Sequence, residues 1–273
     1  MMRAMNDPHP ASWVKVSEKE HANKDWTEEC QGVTHDGTNW FISSNRDTAT
    51  GAAKRGIYKF SMGMSKLAFF GIDFAGYDHI GDIDFYQGRI YAAMEWPHEI
   101  FWVNTAFTSH GRDTLKGATP GSESPQGKSF AWCAVNPWNG YLYSSRFGDA
   151  DQPGITKIYA YDPNDSFRHK ATLTLKASSK RIQGGSFSDN GHLLLASDYT
   201  HDIRCYSVLN GKYLGSAGIQ VGSTEEVEGI CVKKGVTMHG KAAQVHVILL
   251  DNDWPSADDV YFKHYAVGKP DDL

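Results

Sequence analysis

Acidic side chains stand at corresponding points of a pattern that this chain repeats. Asp82, Glu95, Asp198, Glu228 and Asp251 each begin or end a short apolar run, and His79 and Arg146 hold further positions of the same kind. Carboxylates brought together repel one another, so they bind a cation, carry raised pKa values suited to proton transfer, or stay solvated. Asp82, Glu95, His79 and Arg146 are therefore candidates for catalysis by proton transfer or charge stabilisation. Gln31, Asn45, Trp132, Gln183 and Trp254 would surround a small polar ligand or a sugar, the amides by hydrogen bonding and the indoles by offering flat apolar faces. Strand-end Asp and Asn also cap turns through their own backbone. The elements that carry these residues decide between the readings.

Those elements recur. A short apolar run, a turn ending in Gly and a second apolar run appear as CQGVTHDGTNWFISSN, GDIDFYQGRIYAAME, CAVNPWNGYLYSSRF, GGSFSDNGHLLLASD and EGICVKKG with VHVILLDND. The turn glycines are read as Gly37, Gly88, Gly140, Gly191 and Gly235, at spacings of 51, 52, 51 and 44. Each hairpin is followed by a third strand, GIYKFSM, HEIFWVN, TKIYAYD, HDIRCYSV or DVYFKHYAV, and a fourth is legible near 67–72, 171–175 and 212–216. Four strands in each repeat of about fifty residues predict an all-β, five-bladed β-propeller. The blades fall at about 28–73, 79–118, 130–177, 181–218 and 225–268 of one domain. The fifth repeat has only three strands of its own, so residues 12–17 (SWVKVS) are expected to close the ring beside its third strand.

In such a ring the inner-strand starts, the second-strand ends and the loops joining strands two and three share one mouth of the central channel. That mouth would gather the five carboxylates with Arg146 and His79, overhung by 45–56, 146–155 and 251–260. Loop residues Asp149, Asp151, Asp253, Asp258 and Asp259 could add oxygen ligands, without the spacing of an EF-hand.

The stretch SFSDNGHLLLASD with HDIRCYSV resembles the SPDG-type blades of the six-bladed gluconolactonase-like and NHL propellers. Glu228-Gly229-Ile230 resembles the E-G-[PI] start of an inner strand in the gluconolactonase-like group. There the Glu is a metal ligand, which implies a divalent cation, Ca²⁺ or similar, held by Asp198, Glu228 and Asp251. The motifs of other five-bladed enzymes, including calcium-activated nucleotidases, arabinan hydrolases and plant-type glutaminyl cyclases, are not intact.

No GxSxG elbow, P-loop, GxGxxG or HExxH occurs, so serine-nucleophile and zincin chemistry lack support. The 273 residues are 40% apolar and 22% charged, with a formal net charge of -5, which argues against disorder and against a cationic nucleic-acid footprint. The longest apolar run, Val245 to Leu250, is far short of the roughly 20 residues of a membrane-spanning helix, so no membrane partner is expected. The first ten residues carry no apolar stretch or cleavage site of a secretory signal, so a cytoplasmic chain is the default reading, with secretion open. Cys30, Cys133, Cys205 and Cys231 form no CxxC pair and are expected as buried free thiols in a monomer.

Three uses suit such a scaffold: an enzyme, a lectin-like module and a protein-interaction scaffold. Lectin propellers repeat one pocket in every blade, whereas the second-strand ends here read Asn45, Glu95, Arg146, Asp198 and Asp251. Five different environments favour one asymmetric site, and a hydrolase or lyase acting on a small polar substrate leads.

Overall fold

The computed structural model describes residues 13–23, 25–45, 54–72, 79–96, 98–128, 130–149, 151–238, 241–252 and 257–267. After β1 (Val14–His21), the first blade is β2 (Cys30–His35), β3 (Asn39–Ser44), β4 (Gly56–Ser61) and β5 (Lys66–Gly71). The second is β6 (His79–Tyr86), β7 (Arg89–Trp96), β8 (Glu99–Asn104) and β9 (His110–Thr114); the third is β10 (Ala134–Val135), β11 (Leu142–Ser144), β12 (Ile155–Asp162) and β13 (Arg168–Ser179). The fourth is β14 (Ile182–Phe187), β15 (His192–Ser197), β16 (Asp202–Ser207) and β17 (Tyr213–Gly218), and the fifth holds β18 (Glu225–Met238), β19 (Lys241–Asp251) and β20 (Asp259–Ala266). These form five antiparallel four-stranded sheets arranged as a five-bladed propeller.

The core lies in the seams between blades, which explains the apolar runs. In β3, Trp40 and Ile42 face the seam with the fifth blade, while Phe41 between them faces the second blade. Leu193 and Leu195 of β15 likewise pack toward the third blade, and Leu194 and Ala196 toward the fifth. A middle strand is thus buried on both faces and reads as a continuous apolar run instead of an alternation. Each fully buried large side chain contributes about 1.5–3 kcal/mol.

The ring closes as β1 pairs antiparallel with β20, from Val14 opposite Ala266 to His21 opposite Val260. The closing strand is longer than the SWVKVS segment and shifted toward the C-terminal side, because its continuation SEKEH is a charged outer edge without an apolar pattern. Glu18 in it lies 3.5 Å from the ammonium of Lys263, a lysine only 2% exposed that also reaches Glu225 at 3.0 Å. The polar fourth strand of the second blade, HGRDT, left no apolar trace for the same reason.

Gly235 is not the fifth hairpin's turn. β18 runs through it to Met238, which pairs with Lys241, and a bulge lies between Val232 and Val236. The residues between Met238 and Lys241 lie outside the described residues.

Candidate functional site

Asp82 sits on the propeller axis, and all five blades meet around it. It is 0% exposed. One carboxylate oxygen accepts the amides of Ile83 at 2.9 Å and Val33 at 3.3 Å, and the other accepts that of Gly185 at 2.8 Å. Its own amide donates to the Ala131 carbonyl at 2.7 Å. Space for this convergence comes from glycine: a Cβ at Gly184 or Gly229 would fall 2.9 or 2.8 Å from the Asp82 carboxylate, and one at Gly81 only 1.9 Å from the Ala131 oxygen. Burial pushes the Asp82 pKa well above the usual carboxylate range against the pull of these amides. Asp82 is therefore a plug that ties blades together and divides the channel into two mouths, not a group presented to a substrate.

Above this plug lies the acidic mouth. Glu228 is 1% exposed; its Oε1 accepts the side-chain amide of Gln183 at 3.2 Å, and its Oε2 is buried with no hydrogen-bond partner. Burial first, then the neighbouring charges of Glu226, Asp198 and Glu29, push the Glu228 pKa well above its ordinary value, with Arg181 pulling the other way. Glu226 is raised by burial and by Asp198, and Glu95 by burial alone. Glu95 lies 3.7 Å from His79 Nδ1, both partly exposed at this rim.

Other predicted site residues are spent on structure. Asn45, 2% exposed, clamps the backbone of Ile80 in the next blade, accepting from its amide at 2.8 Å and donating to its carbonyl at 2.9 Å. Asp198 makes the same inter-blade link between the fourth and fifth blades, accepting the Val227 amide at 3.0 Å, and its second oxygen lies 2.9 Å from Arg181. Asp258 repeats it from the fifth blade to the first, accepting the Glu29 amide at 2.9 Å. Trp132 is 0% exposed in the seam of the third and fourth blades, its indole N–H donating to Ser145, so it has no face for a ligand. Gln31 is 6% exposed. Arg146 is exposed and donates to the Gln126 carbonyl at 2.9 Å. Trp254 lies outside the described residues.

Of the three residues read as a cation's donors, Glu228 keeps one oxygen without a hydrogen-bond partner. Asp198 is engaged by Arg181 and Val227, Asp251 is half-buried with its Oδ1 unpartnered, and among the described residues no group of three His, Cys, Asp or Glu side chains is placed to hold a metal ion. The sequence reading overlooked Arg181, the cation that answers this cluster; its place two residues before Gln183 was the available signal. It also overlooked Gln126, 0% exposed, which latches the long 115–130 connection onto Ser144 and Tyr161.

The architecture and its axial plug define the chain's class, a five-bladed β-propeller. No family model matches the chain, and no curated protein matches it. Solved propeller structures do. Glutaminyl cyclase from Myxococcus xanthus superposes with a TM-score of 0.61 at 15% identity, covering 93% of this chain and 97% of that one. Virginiamycin B lyase from Staphylococcus aureus gives 0.52 at 7% identity, covering 91% and 99%. A chain of a nidogen–laminin complex gives 0.51 at 13% identity, covering 82% of this chain and 76% of that one. At these identities the likeness is one of fold.

Proposed function

We propose that the chain is an enzyme, a hydrolase or lyase acting on a small polar substrate at the acidic mouth, with Glu228 as general acid. The observation that carries this reading is the buried, unpartnered Glu228 Oε2 among like charges. A carboxyl held neutral by burial and repulsion can give up a proton at neutral pH, and Glu228, 1% exposed, would pass it to a leaving group through one intervening water or once the mouth opens. Gln183, donating to Oε1, is a positioning residue that leaves Oε2 to carry the proton. Once the proton has gone, Gln183 and Arg181 offset the charge that remains on Glu228. Glu95 with His79 beside it supplies the second acid–base group at the rim. Two of the fold neighbours, a glutaminyl cyclase and a virginiamycin B lyase, are enzymes by name, which is compatible with this use of the scaffold.

The test is a turnover screen of small esters, lactones, amides and glycosides with the native protein and with Glu228→Gln. Turnover should fall on the order of a hundredfold in the variant, the usual contribution of a general acid, at unchanged thermal stability. In the native protein it should decline as pH rises through the raised Glu228 pKa, because the acid form is the active one. Equal turnover by the variant, or no turnover of any class by the native protein, would sink the proposal.

A further inference from the structure

The channel has a second mouth, where the inner strands end, and it holds a cavity of about 400 Å³. Its lining includes Thr34, Asp84, Pro137, Ser186, Asp189 and Lys233, drawn from all five blades. The Asp82 plug separates it from Glu228, so this cavity stands apart from the acidic mouth and from the proposal made for it.

Its polar groups are built in. One oxygen of Asp84 accepts from the Thr34 hydroxyl at 3.4 Å and the Phe85 amide at 2.9 Å, and the other accepts only from the Val135 amide at 2.7 Å, which leaves it capacity for one more donor. Burial pushes the Asp84 carboxyl up to about 7, so it can accept from a ligand hydroxyl or, protonated, donate to one. Ser186 Oγ accepts the Val232 amide at 3.1 Å and keeps a proton to give. Lys233 rides on the bulge between Val232 and Val236, and its carbonyl is held 3.2 Å from Nε2 of the buried His246. A bulge is a device for re-aiming a side chain, and here Lys233 lines the cavity.

An exposed aromatic side chain, not itself part of the lining, is joined to two of the lining residues. Trp138 is 50% exposed, although its indole N–H is fixed on the Asp189 carbonyl at 2.9 Å and its ring lies against the Gly191 turn, where a Cβ would fall 2.5 Å from it. It follows Pro137 in the chain and is bonded to Asp189, both lining the cavity. An exposed indole held this rigidly offers an apolar face at low entropic cost.

We infer that this second mouth binds a small neutral sugar, stacked against Trp138 and hydrogen-bonded by Lys233, Ser186, Asp84 and Asp189. A hydroxyl both donates and accepts, and this lining supplies both kinds of group. An anion would meet two carboxylates here, and a cation would meet Lys233. The apolar C–H face of a pyranose matches an indole, as neither a small anion nor an amine does.

Ligand-observed NMR and calorimetry on the full chain, with glucose, galactose, mannose and N-acetylglucosamine as probes and gluconate and glucosamine as charged controls, test this. At least one neutral sugar should bind with millimolar or better affinity. Trp138→Ala and Lys233→Ala, both at partly exposed positions, should each weaken it about tenfold or more. Glu228→Gln should bind that sugar as the native protein does. Binding of none of the neutral sugars, binding confined to the charged controls, affinity unmoved by both cavity substitutions, or loss of binding in Glu228→Gln would each overturn the inference. The last outcome would place the sugar at the acidic mouth.

Discussion

His246 and His264 face each other across neighbouring strands, directly paired in register and with their Nδ1 atoms 2.8 Å apart. Both are buried, at 0% and 1% exposure, with the Trp40 ring packed against them. The Lys233 carbonyl can only accept, so His246 Nε2 carries the proton, and the neutral ring's Nδ1 must accept from His264 Nδ1–H. A further proton on His246 itself would have to go to Nδ1, where it would break that bond.

Stability should therefore carry a histidine signature in acid. Burial and the neighbouring His264 hold the His246 pKa well below 6.5. The unfolded chain binds this proton first, so the contribution of His246 is complete above about pH 6.5 and is lost as pH falls, by about 1.4 kcal/mol per pH unit. Burial lowers His21 and His35 to about 4 in the same sense. Urea unfolding of the native protein and His246→Gln at pH 7.5 and pH 5.5 should show the smaller pH dependence in the variant. Parallel curves would mean that His246 takes up the further proton at no cost to the fold.

Asp82→Ala should destabilise the fold by about 3 kcal/mol or more. Three amides, from Val33, Ile83 and Gly185, would lose their acceptor around a fully buried position, each at about 1–3 kcal/mol. Chemical denaturation reads the loss directly, and a variant as stable as the parent would remove the plug from this account.

Two acidic-mouth substitutions should part company. Asp198→Ala removes the acceptor of the Val227 amide and the partner of Arg181, and should cost about 2 kcal/mol. Glu228→Gln relieves repulsion and keeps the shape, and should leave the melting temperature unchanged or higher. Matched thermal melts of the two variants check this; the reverse order would mean that Glu228, not Asp198, is the structural acid.

Removal of residues 1–21 should open the ring. It exposes the edge of β20 and takes Glu18 from the buried Lys263, with a loss of about 3 kcal/mol or more and a tendency to aggregate. Denaturation together with light scattering measures both; a soluble truncation of native stability would contradict closure by β1.

The thiols of Cys30, Cys133, Cys205 and Cys231 are buried, and burial raises the pKa of Cys30, Cys133 and Cys231. All four should react slowly with a thiol reagent until the protein unfolds. Fast modification of Cys231 in the native protein would show that the second mouth opens more widely than the structure indicates.

The blades were legible in the amino-acid order because their cause is local and repeated. Middle strands such as Asn39–Ser44 and His192–Ser197 are buried on both faces, so each must be an apolar run, and glycine turns such as Gly88 and Gly191 must punctuate them. Strand count and closure follow from the same repetition. The charged outer strands Val14–His21 and His110–Thr114 were blurred or missed, since an exposed edge places little demand on residue type.

Which strand-end polar residue faces a ligand was decided only in three dimensions. The inner strands bulge at Ile80/Ile83 and Val227/Ile230, and a shift of one residue turns a side chain to the other face. Asp82 is thereby aimed at the axis, and Glu228 is left buried beside Gln183. Asn45 and Asp198 look like site residues in the sequence, yet their partners are backbone groups 35 and 29 residues away in another blade. The distinction between a staple and an acid rests on those long-range hydrogen bonds, because the same side chain can do either and only its neighbours in the fold determine which.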